Sequence, residues 1–432
     1  MLILAHMFDS IPSLQTIIIY TLSFASLFVQ VFFLVTYIER RKDIVIRRKD
    51  IALKRYPSVS IVVPCYNEEK TLYKTVRSLL ALDYPKNKLT IILVDDGSID
   101  STWSIMQKFS KNSQIQIHRK VNGGKHTAMN WGIENSDSEL IGGLDADSFV
   151  DKEALKRIVT YFNDPATMAV APSILVYQPN NILQKAQKAE YDMAIYTKKM
   201  LGFLGGIHVT PGPFSIFRKK VFNEIGPYKK AHNTEDQEIA LRMHEFGYKI
   251  EHCPDAYVYT VSPRSVKALY KQRLRWIYGF IKNTFDYRRL FFKKKYGNLG
   301  FFTLPAGAIS IMSVIALASI WISYLIKFIN KKVVMWDTVG FESAVSPRSF
   351  DWFFINTEGI VFMSFVLYSL IVMALILGRR MGAGKKGLSL DVFYFVTVYS
   401  IIAPFWILKA IWNAIVSKES NWIGERKPGR AI

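Results

Sequence analysis

Two pairs of carboxylates follow apolar runs that are typical of buried strands. Asp95 and Asp96 come directly after LTIILV, and Asp145 and Asp147 come directly after ELIGGL. A carboxylate at a strand end can accept hydrogen bonds from a nucleobase or a ribose hydroxyl. Two carboxylates one residue apart can also reach one hard divalent cation, which would neutralise a diphosphate. Taken singly, the first pair is equally explained by an Asp-Gly turn and the second by a polar loop.

A glycine-rich segment, NGGKHTAMN, lies between these two acidic motifs. Gly123 and Gly124 free the backbone to approach an anion, and Lys125 adds a positive charge next to a predicted helix start. A flexible turn that carries a solvated lysine is the alternative. The occurrence of this loop together with both acidic motifs favours a phosphate-binding role.

A third acidic motif, TED, opens a predicted amphipathic helix. Glu235 in the first turn suits a carboxylate that complements the helix dipole. Asp236 can instead act as a general base, because glycosyl transfer to an alcohol needs a carboxylate within reach of the attacking oxygen. The spacing alone leaves both interpretations open.

The motif QRLRW contains Gln272, Arg275 and Trp276. An indole offers an apolar surface to the C–H face of a sugar, and an arginine can hold a phosphate through two parallel hydrogen bonds. The segment also fits an interfacial helix whose apolar side chains face lipid, namely Leu269, Trp276, Phe280 and Phe291. Both interpretations hold together if the acceptor site lies at the bilayer surface.

These motifs are predicted to lie on an α/β scaffold. Residues 58–64, 89–94 and 139–144 form short apolar runs, rich in branched residues, that predict buried parallel strands. Residues 68–82 and 101–109 between them have helical spacing of apolar side chains. Strand and helix alternation predicts an open sheet whose ligands gather beyond the carboxyl ends of the strands, where the acidic motifs lie.

Charge-free apolar stretches flank this soluble segment at residues 10–38, 296–326, 359–378 and 392–408. A helix of about 20 apolar residues crosses a bilayer core, so four spans are predicted, the last of them interrupted by Pro404. A basic cluster follows the first stretch, which predicts an outside N-terminus and a cytoplasmic soluble segment.

The composition indicates a membrane protein that also has a water-exposed domain. Half of the residues are hydrophobic, yet the chain carries 56 Lys and Arg and a net charge of +21. Because much of this charge lies beside the apolar stretches, we expect it to meet anionic lipid headgroups rather than nucleic acid. Cys65 and Cys253 are the only cysteines and show no metal-ligand spacing or disulfide framework, which indicates a reducing compartment.

The motifs PCYNE, VDDGS, GGKHTAMN, DAD, PGPFSIFR, TED and QRLRW, in this order, resemble the family 2 glycosyltransferases of the processive membrane type. Cellulose, chitin, hyaluronan and poly-N-acetylglucosamine synthases belong to that family. The resemblance implies an N-terminal transmembrane helix (1–40), a cytoplasmic, Rossmann-like α/β GT-A domain (41–265) and interfacial helices with QRLRW (266–295). Three transmembrane helices (296–417) and a C-terminal tail (418–432) would follow.

The resemblance also implies roles for individual residues. Asp236 would be the catalytic base, and Asp147 would bind Mg²⁺ or Mn²⁺ with Asp145 beside it at the donor sugar. The nucleotide-sugar site would comprise Pro64, Tyr66, Glu68, Asp95 or Asp96, Lys125, Asp145 and Arg275. The acceptor site would comprise Gly212, Pro213, Glu235, Gln272 and Trp276.

The resemblance implies an inverting, processive enzyme that transfers sugar from a UDP-sugar to a growing polysaccharide. UDP-N-acetylglucosamine is the first choice of donor. Synthesis would be coupled to translocation of the polymer across the membrane. PGPFSIFR is nearest to chitin and hyaluronan synthases, whereas TED is similar to the cellulose and poly-N-acetylglucosamine branches. One alternative is a single-transfer enzyme that acts on a polyprenyl phosphate. Another is a non-catalytic, membrane-tethered protein that binds polyanions, which leaves the acidic strand ends unexplained.

Overall fold

The structure is a computed structural model that describes residues 14–49, 53, 55–340, 359–382, 384, 387 and 389–416. The predicted C-terminal tail, 418–432, lies outside these residues. Among the described residues, those within 1–34 and 305–372 form one compact unit, and those within 35–304 and 373–432 form a second.

The second unit contains an eight-stranded sheet with the order β3-β2-β1-β4-β7-β6-β8-β5. Strands β3, β2, β1 and β4 run parallel, which confirms the three parallel strands predicted from sequence. The antiparallel pairs β4·β7, β6·β7 and β5·β8 were not predicted. The strands are β1 (Val59–Cys65), β2 (Leu89–Asp95), β3 (Ile115–Arg119), β4 (Leu140–Gly143), β5 (Ser148–Val150), β6 (Thr167–Val176), β7 (Ile216–Arg218) and β8 (Lys249–Thr260).

Strand β1 shows why the parallel half forms. Val59, Ile61, Val62 and Val63 are all completely buried. Such a continuous buried run is typical of a parallel sheet whose two faces are covered by helices. Its last residues, and those that follow β2 and β4, therefore meet at one edge of the sheet.

The helices, like the strands, are numbered in chain order. Helix α2 buries Leu72, Thr75, Val76 and Leu79, a spacing that places one helical face on the core. The helices are α1 (Leu14–Lys49), α2 (Leu72–Leu80), α3 (Thr102–Gln107), α4 (Lys125–Glu134), α5 (Ala154–Val159), α6 (Ile182–Phe203), α7 (Lys219–Ile225), α8 (Glu235–Glu245), α9 (Val266–Asp286), α10 (Leu304–Val339), α11 (Gly359–Gly382) and α12 (Leu390–Ile415).

Four helical stretches in the described residues are long and apolar enough to cross a membrane: Thr16–Ile44, Leu299–Ala316, Phe362–Gly382 and Leu390–Ile415. They coincide with the four predicted spans. The second stretch includes a π-helical turn, Leu299–Thr303, that leads into α10. Pro404 lies inside α12, which nevertheless continues to Ile415.

The prediction that α9 and its neighbours face lipid is wrong for several side chains. Leu269 is completely buried, and Trp276 and Phe280 line an internal cavity. Phe291 packs against a small apolar cluster that includes Tyr287 and Leu290. The reason is that α9 packs on α12, so protein covers surface that an isolated amphipathic helix would present to a bilayer.

Candidate active site

A cavity of about 730 Å³ opens at the carboxyl ends of β1 and β4. The sheet brings the motifs that follow these strands to the rim, and α8 and α9 close the opposite wall. Every predicted site residue except Asp95 lines this cavity: Pro64, Tyr66, Glu68, Asp96, Lys125, Asp145, Asp147, Gly212, Pro213, Glu235, Asp236, Gln272, Arg275 and Trp276.

Asp95 does not reach the cavity. Its buried carboxylate accepts a hydrogen bond from the Ser98 N–H at 2.9 Å and lies 3.0 Å from Nε of Arg119. Successive side chains of a strand point to opposite faces, so the last residue of β2 and the residue after it diverge. Of the two aspartates proposed for the nucleotide, the structure brings only Asp96 to the cavity.

The amides of the glycine-rich loop bind an anionic group, but this group is the carboxylate of Asp96 and not a ligand. The amides of Gly123 and Gly124 donate to the Asp96 carboxylate at 3.0 and 2.8 Å, and Lys120 Nζ lies 2.6 Å from the same group. The prediction of a free phosphate-binding loop is therefore corrected, because Asp96 occupies both amides. Asp96 thus ties the loop after β3 to the end of β2.

Lys125 begins α4, as predicted, and joins two motifs that are distant in sequence. Its Nζ lies 2.7 Å from an oxygen of Asp145 and 3.3 Å from an oxygen of Glu235. Burial by itself would lower the pKa of Lys125, but these carboxylates raise it well above its ordinary value. A Cβ placed on Gly212 would lie 2.6 Å from Nζ, so any larger residue there would displace the ammonium.

Carboxylates crowd the part of the cavity beside DAD. Burial, with the charge of Asp145, raises the pKa of Asp147 to about 6. Burial also raises the pKa of Glu68 to about 7, and the charges of Asp147 and Asp145 add to this effect. A divalent cation would relieve this repulsion.

Asp145 and Asp147 fit a metal ion whose remaining coordination positions are filled by a substrate and water. Within the described part of the chain, no three His, Cys, Asp or Glu side chains are grouped closely enough to hold a metal. Mg²⁺ is commonly bound by one or two carboxylates together with substrate phosphates and water. Asp147 and Asp145 are therefore sufficient for such an ion when a nucleoside diphosphate supplies further oxygens.

Asp236 has the properties of a general base. Burial, together with the neighbouring charge of Glu235, raises its pKa to about 6. Its backbone carbonyl accepts hydrogen bonds from the Thr210 N–H and hydroxyl at 3.1 and 3.0 Å, which fixes the start of α8. Burial would raise the pKa of Glu235 as well, but Lys125 lowers it. Glu235 therefore stays ionised while Asp236 remains free to exchange a proton near neutral pH.

The QRLRW motif lines the wall opposite DAD. Arg275 donates to the Asn233 carbonyl at 3.2 Å, directly before TED. The guanidinium of Arg273 lies 4.2 Å from the ring centre of Trp276 and also bonds Glu190 at 2.6 Å. The Arg273 guanidinium thus packs against the Trp276 indole, a contact that the sequence motif did not predict.

One wall of the cavity was not predicted from the sequence. It comes from α6, whose Tyr191, Ala194, Ile195 and Lys198 all face inward. Their separation by three, four and seven positions is the signal that could have identified one helical face.

The sheet order, the crowded acids and the aromatic side chains of the cavity can be compared with known families. Residues 60–226 match the family described as Glycosyl transferase family 2. The chain carries a family 2 glycosyl transferase domain. This glycosyl transferase domain contains β1 to β7 and hence the DDG, glycine-loop and DAD motifs, whereas TED and QRLRW follow it.

This chain is similar to curated bacterial polymer synthases. It is 33% identical over 224 residues to the poly-β-1,6-N-acetyl-D-glucosamine synthase of Staphylococcus epidermidis, which is 51% of this chain and 54% of the relative. It is 31% identical over 236 residues to the enzyme of that name from Staphylococcus aureus strain COL, which is 54% and 57% of the two chains. The chain therefore spans little more than half the length of these relatives.

A solved structure shares the fold. It is a mannosyltransferase from Pyrobaculum calidifontis in complex with GDP-Man and Mn²⁺, with a TM-score of 0.58 and 16% sequence identity. The match covers 92% of this chain and all of that chain. The likeness confirms the predicted GT-A type of α/β fold.

Proposed function

We propose that the chain transfers sugar from a UDP-sugar, with UDP-N-acetylglucosamine as first choice, to a growing polysaccharide, with inversion at the anomeric carbon. The observation that carries this proposal is the convergence of Asp147, Asp236 and Trp276 on one cavity. These three residues come from DAD, TED and QRLRW, which serve the donor, the proton and the acceptor respectively. The similarity to poly-β-1,6-N-acetyl-D-glucosamine synthases supports the choice of sugar.

The donor binds on the DAD side of the cavity in this proposal. Pro64, Tyr66 and Asp96 hold the nucleoside, with Glu68 below it, and Arg275 meets the diphosphate. Asp147, with Asp145 beside it, would hold Mg²⁺ or Mn²⁺, an ion that offsets the negative charge of a departing diphosphate. Lys125 keeps Asp145 and Glu235 in place rather than serving as a free phosphate ligand.

The chemistry is a single displacement. The acceptor lies on Trp276, beside Gln272 and the Gly212-Pro213 turn. Asp236 accepts the proton of the acceptor hydroxyl while that oxygen forms a bond to the anomeric carbon. The bond from this carbon to the diphosphate oxygen breaks, and its electron pair leaves with UDP. Attack opposite the leaving group inverts the configuration, and no covalent sugar-enzyme intermediate is formed.

We place the catalytic unit on the cytoplasmic face of a cell membrane. The apolar helices α1, α10, α11 and α12 would span the bilayer, in line with spans predicted within 1–40 and 296–417. The basic residues Arg40, Arg41 and Lys42 follow the apolar part of α1, on the side that faces the cytoplasm by the positive-inside tendency. A polymer extended at Trp276 would then have to be translocated across that membrane.

The test is an assay of UDP release by the full chain in lipid nanodiscs. A panel of UDP-sugars is compared with GDP-mannose, with Mg²⁺, with Mn²⁺ and with EDTA, and the products are sized. We expect metal-dependent release from UDP-N-acetylglucosamine and products of many sugars. A glycosylated polyprenyl phosphate as sole product would support the single-transfer alternative, and single-sugar addition to a glycan would reject processivity.

A further inference from the structure

Helix α6 gives the cavity a branch that the mechanism above does not use. Its inward face carries Tyr191, Ala194, Ile195 and Lys198. Strand β6 and the end of β8 supply the facing wall, with Ile174 and Val261 among its apolar members. This branch shares the cavity with Asp236 and with the aromatic side chains of α9, Trp276 and Phe280.

Lys198 differs from the other lysine of the cavity. Lys125 holds two carboxylates, whereas Lys198 has no hydrogen bond or ion pair with any residue that the structure describes. An ammonium group that is partly removed from water and has no acceptor is unfavourable. A ligand atom that accepts a hydrogen bond would therefore stabilise Lys198 strongly.

The surroundings of Lys198 define what such a ligand could be. Burial lowers its pKa to about 8, and the charge of Asp236 on α8 opposes that effect. His208 and His252 also lie within electrostatic range of Lys198, and their own pKa values are lowered by burial and by its charge. Arg275 on α9 and Tyr191 on α6 complete the ionisable groups of this branch. Both histidines are thus neutral at pH 7, so Lys198 and Arg275 are the cations named here, and Arg275 already donates to the Asn233 carbonyl.

We propose that the α6 face is an acceptor branch of the site and that Lys198 determines acceptor specificity there, by donating hydrogen bonds to hydroxyl oxygens of a neutral glycan. This inference rests on the proposed function. Three aromatic side chains, Tyr191, Trp276 and Phe280, line the same space, and sugar C–H faces pack well on aromatic rings.

The test compares the full chain with Lys198→Met and Lys198→Arg in nanodiscs. A soluble β-linked N-acetylglucosamine oligosaccharide is the acceptor probe, and UDP-N-acetylglucosamine is the donor. UDP release without acceptor and the KM for donor report the donor half of the site. Lys185→Met is the matched control, because Lys185 lies on the same helix but not in the cavity.

In Lys198→Met we expect the KM for the acceptor to rise at least about tenfold, the effect of losing a hydrogen bond from a charged donor. The donor KM should change much less than the acceptor KM. In the unmodified chain, kcat/KM for acceptor should fall as the pH rises through about 8, because Lys198 loses its proton there. This basic limb of the pH profile should be absent in Lys198→Met. In Lys198→Arg it should shift to a higher pH. Lys185→Met should behave like the unmodified chain.

Two further outcomes separate this inference from the proposed function. If the unmodified chain extends the oligosaccharide and Lys198→Met leaves the acceptor KM and the basic limb unaltered, the role of Lys198 is refuted while the proposed function stands. If the unmodified chain glycosylates only a polyprenyl phosphate, both the proposed function and the glycan-binding role of Lys198 are refuted.

Discussion

The ammonium of Lys125 lies 3.3 Å from a carboxylate oxygen of Glu235. Lys125 also holds Asp145 at 2.7 Å, so one side chain connects the DAD and TED motifs. The pair that it forms with Glu235 keeps that carboxylate ionised, and the ionised Glu235 in turn raises the pKa of Asp236. The DAD and TED motifs are therefore coupled electrostatically through Lys125.

Lys125→Met should slow sugar transfer and shift its pH dependence. We expect kcat to fall roughly 100-fold, because removing one partner of a buried ion pair leaves its carboxylates uncompensated. Since Lys125 lowers the pKa of Asp236, its loss should move the acid limb of kcat/KM to a higher pH than in the unmodified chain. Steady-state kinetics over a pH series measure both effects. Lys86→Met, at an exposed lysine, is the control, and an unshifted limb in Lys125→Met would contradict the coupling.

Asp236→Asn should remove the general base while preserving donor binding. An asparagine of nearly the same shape cannot accept the proton, so we expect kcat to fall about 100- to 10,000-fold. Titration calorimetry with UDP should give a Kd similar to that of the unmodified chain. Asp137→Asn changes an exposed aspartate outside the cavity and should retain full turnover. Normal turnover in Asp236→Asn would revive the non-catalytic alternative.

The activity of the unmodified chain should decline on acidification. The pKa of Asp236 is raised to about 6, so this base is protonated and inactive below that pH and ionised above it. With saturating donor, kcat should therefore fall as the pH drops through about 6. A rate that stays constant between pH 7 and pH 5 would show that another group is the base.

Gly212→Ala should reduce turnover, although less than Lys125→Met does. The added Cβ would approach Lys125 Nζ to 2.6 Å and force the ammonium away from Asp145. We expect a loss of turnover of roughly tenfold or more, on the grounds that a displacement of about 1 Å near the reacting groups can cost 100-fold. Gly202→Ala is a suitable control, since its nearest neighbour would be 3.4 Å away. Equal kinetics for the two variants would mean that Lys125 adjusts freely.

Local pattern predicted three of the four strands in the parallel half of the sheet, β1, β2 and β4, and the four long apolar helices. Strands such as β1 are continuous apolar runs, and α1, α10, α11 and α12 contain uncharged stretches near or above the spanning length. Strands β5 to β8 were not predicted, and β5 and β7 contain only three residues each and give no periodic signal. Their pairing depends on partners that are far away in the chain.

The sequence by itself determined which residues could do chemistry: Asp145, Asp147, Asp236 and Trp276 stand in recognisable motifs, and short-range spacing is sufficient to identify them. Only the tertiary structure decided how they are arranged. It separated Asp95 from Asp96, paired the glycine-loop amides with Asp96, and brought Lys198 within electrostatic range of Asp236. The physical reason is that side-chain direction and ion pairing depend on which strands and helices become neighbours, and that information is distributed over the whole chain.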